Sequence, residues 1–504
     1  MVPKRKVCWV LLAIIATLTF ISCISPRNDD SQAILLPVFD DPTVAFTVWF
    51  QVGSQNDPPG KDGLAALTGA LISNGATATN GYQEILEKLY PLASEYSVHV
   101  DKEMTTLNGH SHIENLEKYF ALLTDAYLRP DFNQDDFNRL KSDQLNYLEK
   151  TLRYASDEEL GKEVLSAIIF TGTPYRHPVQ GTVAGLKSIT LDDVKVFYKK
   201  FYIRENARVA LGGGYPSWLV KRFEKTLESL PSGQVTGTPV AEPPQIEGRS
   251  VVLVQKDNSD ASISLGFPIS VRRGERDFYA LWIANSWLGE HRNSSGRLYN
   301  VIRGKRGMNY GNYSYIEAFP QGGSRFMPPV NVARRQQIFQ IWIRTLPNSQ
   351  AQFALRAAVR QLVELIEKGM NASEFELTRS FLSKYYLHFA ETTQMRLGYA
   401  VDDVFYGISG KGHLARFSEM MASMSLDEVN AALKKYLQHE NMIIVIITGE
   451  AESLAEALRK DLPSPMKYGS SKAVDVLEED KLIESYSLEF GAVRIFPVEE
   501  TFGY

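Results

Sequence analysis

The sequence predicts an α+β protein built as two related halves, and three observations predict it. Strand-like runs rich in β-branched and aromatic residues alternate with amphipathic helical runs along the chain. A polar Pro/Gly-rich stretch, residues 231–249, interrupts this pattern near the middle. Beyond it the pattern restarts, and both halves close on helix, strand, helix, an internal repeat of roughly 200 residues. The length of 504 residues is compatible with about two to four domains. With 44% apolar and 22% charged residues a sizeable core can form, and a net charge of −5 gives no bias toward polyanions. No basic, aromatic-rich patch points to nucleic acid.

The first 23 residues form an address. Lys4, Arg5 and Lys6 precede an apolar run at 8–21 that is too short to span a bilayer comfortably. It ends in Phe20-Ile21-Ser22-Cys23, which resembles a bacterial lipobox. Cleavage before Cys23 would leave a lipidated N-terminal cysteine and no other thiol, because Cys8 and Cys23 are the two cysteines of the chain. Several acyl chains would hold such a protein firmly to a membrane. The alternative is an uncleaved anchor or a plain signal peptide, and either one exports the body. Ile24-Ser25 places no acidic residue after Cys23, which favours the outer membrane.

The expected organisation is a lipoprotein signal peptide (1–23), a tether (24–33), an N-terminal half (34–230), a linker (231–249), a C-terminal half (250–462) and a weakly patterned tail (463–504). In the first half, strands are expected at 34–39, 43–52, 96–101, 104–112 and 207–213. Helices are expected at 80–95, 113–127, 135–153, 157–170, 190–201 and 216–230, with Arg129-Pro130 as a break. In the second half, strands fall at 250–255, 261–267, 310–318, 337–345 and 442–449. Helices fall at 278–288, 296–304, 349–368, 372–391, 394–406, 426–437 and 451–462.

One helical stretch organises the chain. Leu64, Leu67 and Leu71 recur at helical spacing, so residues 63–75 predict a short helix with one buried face. Ala66 and Ala70 share a face. Gly69 sits inside the helix at a cost of about 1 kcal/mol relative to alanine. That face offers nothing that binds a metal or moves a proton.

Val52-Gly53-Ser54, Asp57-Pro58, Gly60 and Gly63-Leu64-Ala65 resemble the approach to the catalytic helix of the pitrilysin/insulinase family of zinc peptidases, inverted zincins with a His-x-x-Glu-His motif. Phe170-Thr171-Gly172-Thr173-Pro174, His177-Pro178 and Gly181 extend the resemblance. So do Asp277, Tyr279-Ala280-Leu281, Leu288-Gly289, Arg297-Leu298 and Val301-Ile302-Arg303 in the second half. It covers nearly all of the exported chain. It implies two homologous α/β-sandwich domains, each a mixed, antiparallel-rich sheet with packed helices, at the size of one processing-peptidase subunit.

Aligned on the motif, the two zinc-binding imidazoles become Ala66 and Ala70, and the general base becomes Gly69. Glu149 is the match for the family's third ligand, but a carboxylate without its imidazoles is no zinc site, and an ordinary helix-surface residue is the competing reading. His110 and His112, two apart on a strand, face one side and could clamp a metal, or stand as plain surface histidines. His177 matches a loop residue of the family and reads as structural. Ser54 and Ser73 lack a His/Asp constellation.

The second half keeps what the first has lost. In this family an Arg and a Tyr at the spacing of Arg303 and Tyr310 reach across to the zinc centre, where a guanidinium and a phenol can donate to the substrate carbonyl and the developing oxyanion. Arg306 competes for the same role. Residues 288–296 stand where the non-zinc processing-peptidase subunit carries a glycine-rich substrate loop, though only Gly289 and Gly296 occur here. The resemblance therefore implies a non-zinc subunit of an exported heterodimeric peptidase, with no cofactor of its own, zinc in a paralogous partner, and unfolded peptides as substrates. A non-catalytic peptide-binding or scaffolding homologue is the second reading. An independent enzyme with a different metal site, for instance through His110 and His112, is the third.

Overall fold

The strand Thr43–Phe50 shows why this chain folds in layers. Its residues are almost all buried, so both faces of its sheet must be covered. Val44, Phe46, Val48 and Phe50 face one core, and Ala45 and Trp49 face another. This is the period-two split of a strand sandwiched on both sides. The structure, a computed structural model, describes residues 33–503 except 236, 238, 239 and 241. The signal peptide, Cys23 and all but the last residue of the tether lie outside the described residues.

The first half runs β1 (Ala33–Pro37), β2 (Thr43–Phe50), α1 (Leu64–Asn74), α2 (Tyr82–Leu89), β3 (Glu95–Val100), β4 (Thr105–His112), α3 (Leu116–Leu128), α4 (Gln134–Asn146), α5 (Asp157–Ile169), α6 (Val183–Ser188), α7 (Leu191–Phe201), β5 (Ala207–Gly213) and α8 (Ser217–Leu227). The second runs β6 (Arg249–Gln255), β7 (Asp260–Ile269), α9 (Arg276–Gly289), β8 (Asn312–Tyr315), β9 (Gln337–Pro347), α10 (Ala351–Lys368), α11 (Ala372–Tyr385), α12 (Thr393–Phe405), α13 (Gly412–Ser423), α14 (Leu426–Tyr436), β10 (Met442–Thr448) and α15 (Ala451–Arg459). The tail adds α16 (Val474–Glu484) and β11 (Ala492–Pro497). Among the described residues, no helix is long and apolar enough to cross a membrane.

The repeat read from the sequence is a repeat of topology. The first sheet has the order β1-β5-β2-β4-β3, and the second β6-β10-β7-β9-β8 with β11 added beside β6. β1 pairs with β5 in parallel, as β6 does with β10, and the other pairs within each matched set are antiparallel. The halves also exchange a helix. α5 of the first half lies on β7, β9 and β10, and α12 of the second lies on β1, β2 and β5. Leu397 and Val401 of α12 cover Ala45, Trp49 and Ala210, while Val252, Val254, Val445 and Ile447 of the second sheet join the core of the first half. Gly212 permits this approach: a Cβ there would stand 2.9 Å from Thr393 Cγ2.

Several expected elements change. The helix expected over 80–95 stops at Leu89, a 3-10 turn follows at Tyr90–Leu92, and Glu95 already belongs to β3. The strand expected over 310–318 shrinks to Asn312–Tyr315, which leaves Tyr310 outside it. The segments Tyr147–Ala155 and Tyr299–Gly304 wind as π-helix. The tail is ordered, since β11 pairs in parallel with β6 over Ser250–Gln255 and Val498 and Phe502 enter the first core. Pairing across such sequence separation leaves little local signal.

Candidate functional site

α1 begins at Gly63, whose φ of 105° a side chain would strain. The Asp57 carboxylate accepts from the Gly63 and Ala65 N–H groups at 2.7 Å each, satisfying donors that a helix start leaves open. Gly69 then faces β3: an added Cβ would stand 2.7 Å from Val100 Cγ2 and 2.8 Å from Val98 Cγ1. The space beside Gly69 is thus filled by two valines. Ala66 and Ala70 are half-buried methyl groups.

The remaining donor set does not fit zinc. Glu149 is part-exposed and faces Lys187 at 3.8 Å on the surface. His110 is exposed, and His112 Nδ1 accepts from the Glu114 N–H at 3.3 Å in a helix cap. Among the described residues, no three His, Cys, Asp or Glu side chains gather as a metal site.

His177 is buried at the base of α1, 3.9 Å from Asp57 and 3.8 Å from Asp62, with Nδ1 donating to the Pro178 carbonyl at 2.8 Å. Burial, aided by the Lys102 ammonium, lowers its pKa from 6.5 to about 4. The unfolded chain therefore binds the proton more readily, so stability is held above pH 6.5 and falls as the pH drops toward 4. The loss should reach about 3 kcal/mol. Urea titrations between pH 7 and 4 should show this slope flattened in His177→Gln, and an equal slope in both proteins would contradict the assignment.

Arg303 and Tyr310 do come together. The guanidinium carbon lies 4.9 Å from the centroid of the Tyr310 ring, and Tyr310 is 79% exposed. Among the described residues, no hydrogen bond, ion pair or ring contact joins either side chain to the first half. Arg306 is committed elsewhere, to Asp480 at 2.8 Å, Glu479 at 3.1 Å and the Val301 carbonyl at 2.7 Å. Residues 288–296 are anchored. A Cβ on Gly289 would stand 2.8 Å from the Ser314 nitrogen, and one on Gly296 3.3 Å from Gly289 Cα, so close packing uses both glycines. Glu290 and His291 are buried, and burial raises the Glu290 carboxyl to about 7.

Sequence reasoning missed the charged seam beside α1. The β3–β4 turn carries Asp101-Lys102-Glu103, all three buried: Asp101 and Glu103 meet arginines of the second half, and Lys102 meets carbonyls of the first. Arg334 Nε donates to Asp101 at 2.6 Å, and Arg335 donates to Glu103. Burial would raise the Asp101 carboxyl, but the Arg334 guanidinium overrides it and holds the pKa below 3.8. Lys102 donates to the Tyr175 carbonyl at 3.1 Å and to that of His177. Its burial lowers the ammonium to about 8 against the nearby Glu163, Asp101 and Asp57 charges. Two adjacent arginines at 334–335, ahead of a strand, are the one local signal that could have suggested the contact.

Comparison with known proteins identifies the family and the fold. Residues 38–183 match the family model described as Insulinase (Peptidase family M16), and residues 188–382 match Peptidase M16 inactive domain. The chain is 23% identical over 282 residues to an uncharacterized zinc protease of Bacillus subtilis, covering 56% of this chain and 66% of that one. It is 21% identical over 257 residues to a probable mitochondrial-processing peptidase subunit beta of Arabidopsis thaliana, covering 50% and 48%. The chain thus spans less than two thirds of the length of these curated relatives. In fold it is similar to a crystal structure titled peptidase M16 inactive domain from Pseudomonas fluorescens, with a TM-score of 0.73 and 22% identity over 82% of this chain and 94% of that one. A protease from Helicobacter pylori matches with a TM-score of 0.71 and 17% identity over 84% and 98%. With both halves matched by models of one family and the topology repeated between them, this chain belongs to the pitrilysin/insulinase family, peptidase family M16.

Proposed function

We propose that this chain is the non-zinc subunit of an exported two-chain peptidase of the family, held by lipid at Cys23 on the periplasmic side of the envelope, with the outer membrane favoured. A zinc-bearing paralogue would supply the metal and the base. This chain would supply Arg303 and Tyr310 as donors to the carbonyl and oxyanion of an unfolded peptide. The observation that carries the reading is asymmetric: Val98 and Val100 close the vacated base position on α1, while Arg303 and Tyr310 stack at a surface with Tyr310 open to solvent.

Gentle purification of the tagged chain from its own membranes should bring down a stoichiometric companion with a His-x-x-Glu-His helix. In that complex Arg303→Ala should lower peptide turnover by about a hundredfold, the size of effect seen when one oxyanion donor is removed. A lone zinc-free chain, or full activity with Arg303→Ala, would defeat the proposal. The second reading is a peptide-binding or scaffolding homologue without hydrolysis. It would be left standing by a zinc-free chain that still retains peptides.

A further inference from the structure

We propose that the seam between the halves contains an ammonium-binding aromatic box, that its resident ligand is Lys162 of α5, and that this contact immobilises residues 289–296 and 319–326. Tyr313, Tyr315, Phe319 and Trp342 of the second half form a separate buried aromatic cluster. Lys162 enters it from the first half: Nζ lies 3.9 Å from the Trp342 ring centroid and 5.8 Å from that of Tyr315. The same ammonium donates to Glu159 at 2.9 Å and to the Phe319 carbonyl at 3.2 Å. A buried ammonium is stable here because a carboxylate, a carbonyl and an aromatic face take the place of water.

The chain is built around this cation. Gly322 passes so close that a Cβ would stand 2.9 Å from Lys162 Nζ and 2.9 Å from Trp342 Cζ3. Glu159 also accepts from the Gln321 N–H at 3.0 Å, and Glu158 pairs with Arg344 at 2.7 Å, so the start of α5 grips both sides of the box. On its far side His291 packs 4.4 Å from Phe319 and 4.8 Å from Tyr313, centroid to centroid. Its Nε2 donates to the Arg325 carbonyl at 2.9 Å, and its Nδ1 accepts from the Tyr315 hydroxyl at 2.8 Å. Lys162, the aromatic rings and His291 therefore form one continuous contact from the first half to segment 289–296. This inference stands whether or not the chain works with a peptidase partner.

Chemical rescue in the full chain tests it. Lys162→Ala should speed hydrogen exchange about tenfold in 289–296 and 319–326, in keeping with a desolvated cation–π contact. Millimolar n-propylammonium, which replaces the missing side-chain atoms, should restore protection, whereas 1-propanol should not. Rescue should vanish when Trp342→Leu is added. Equal rescue by 1-propanol would make the site a plain apolar cavity and overturn the proposal. Unchanged exchange in Lys162→Ala, or rescue that survives Trp342→Leu, would overturn it too. Should Lys162→Ala not fold, Lys162→Met keeps the length without the charge. The same tenfold acceleration is expected there, and unchanged local exchange would refute the box.

Discussion

Gly69→Glu is expected to destabilise this chain by at least about 4 kcal/mol. Gly69 has no room: the first added carbon would already meet Val98 and Val100 inside normal contact distance. Overpacking of this kind costs about 1–3 kcal/mol. The carboxylate adds the larger part, because the atoms that meet this position are valine carbons and an unpaired buried charge costs several kcal/mol more. The helix-propensity gain from losing a glycine returns only about 1 kcal/mol. Denaturant unfolding followed by circular dichroism measures the difference. Val98→Ala with Val100→Ala should recover only the overpacking part of the loss, since they remove the obstructing methyl groups and leave the charge unpaired. A Gly69→Glu chain as stable as the parent would show that β3 yields and would contradict the closed packing at Gly69.

The second large effect belongs to Arg334. Arg334→Ala should cost about 3–5 kcal/mol near neutral pH, because it strands the buried Asp101 carboxylate without its partner. The effect should depend on pH. Asp101 has its pKa depressed in the folded chain, so the pair stabilises above the unfolded value near 3.9 and is lost as the pH falls through the lower folded value. Parent and variant should therefore converge in acid. Hydrogen exchange should rise first in β3 and β4, the strands whose turn Arg334 and Arg335 hold. A loss below about 1 kcal/mol at pH 7 would reduce the contact to an ordinary surface pair.

Both predictions meet on β3 and its turn, and they join the seam to α1. β3 carries Val98 and Val100 against α1, and the next residue, Asp101, is held by an arginine of the second half. The packing of β3 on α1 is thus kept in place by the closure of the halves.

Much of this was present in the sequence. The α1 segment declared itself through Leu64, Leu67 and Leu71, and Ala66, Gly69 and Ala70 announced a face without ligands, because helical periodicity is local. The repeat was visible because strand and helix patterns restart after a Pro/Gly-rich linker. What the tertiary structure decided was the destination of polar residues whose partners lie far along the chain. Asp101 and Glu103 meet arginines more than two hundred positions away, which no local pattern at the turn announces. Lys162 reads as an ordinary position on a charged helix until Trp342 closes over it. β11 gained its strand identity from parallel pairing with β6. Local sequence determines which element a residue joins and which face it occupies. Burial of charge at a seam depends on how two halves meet, and that is a property of the folded whole.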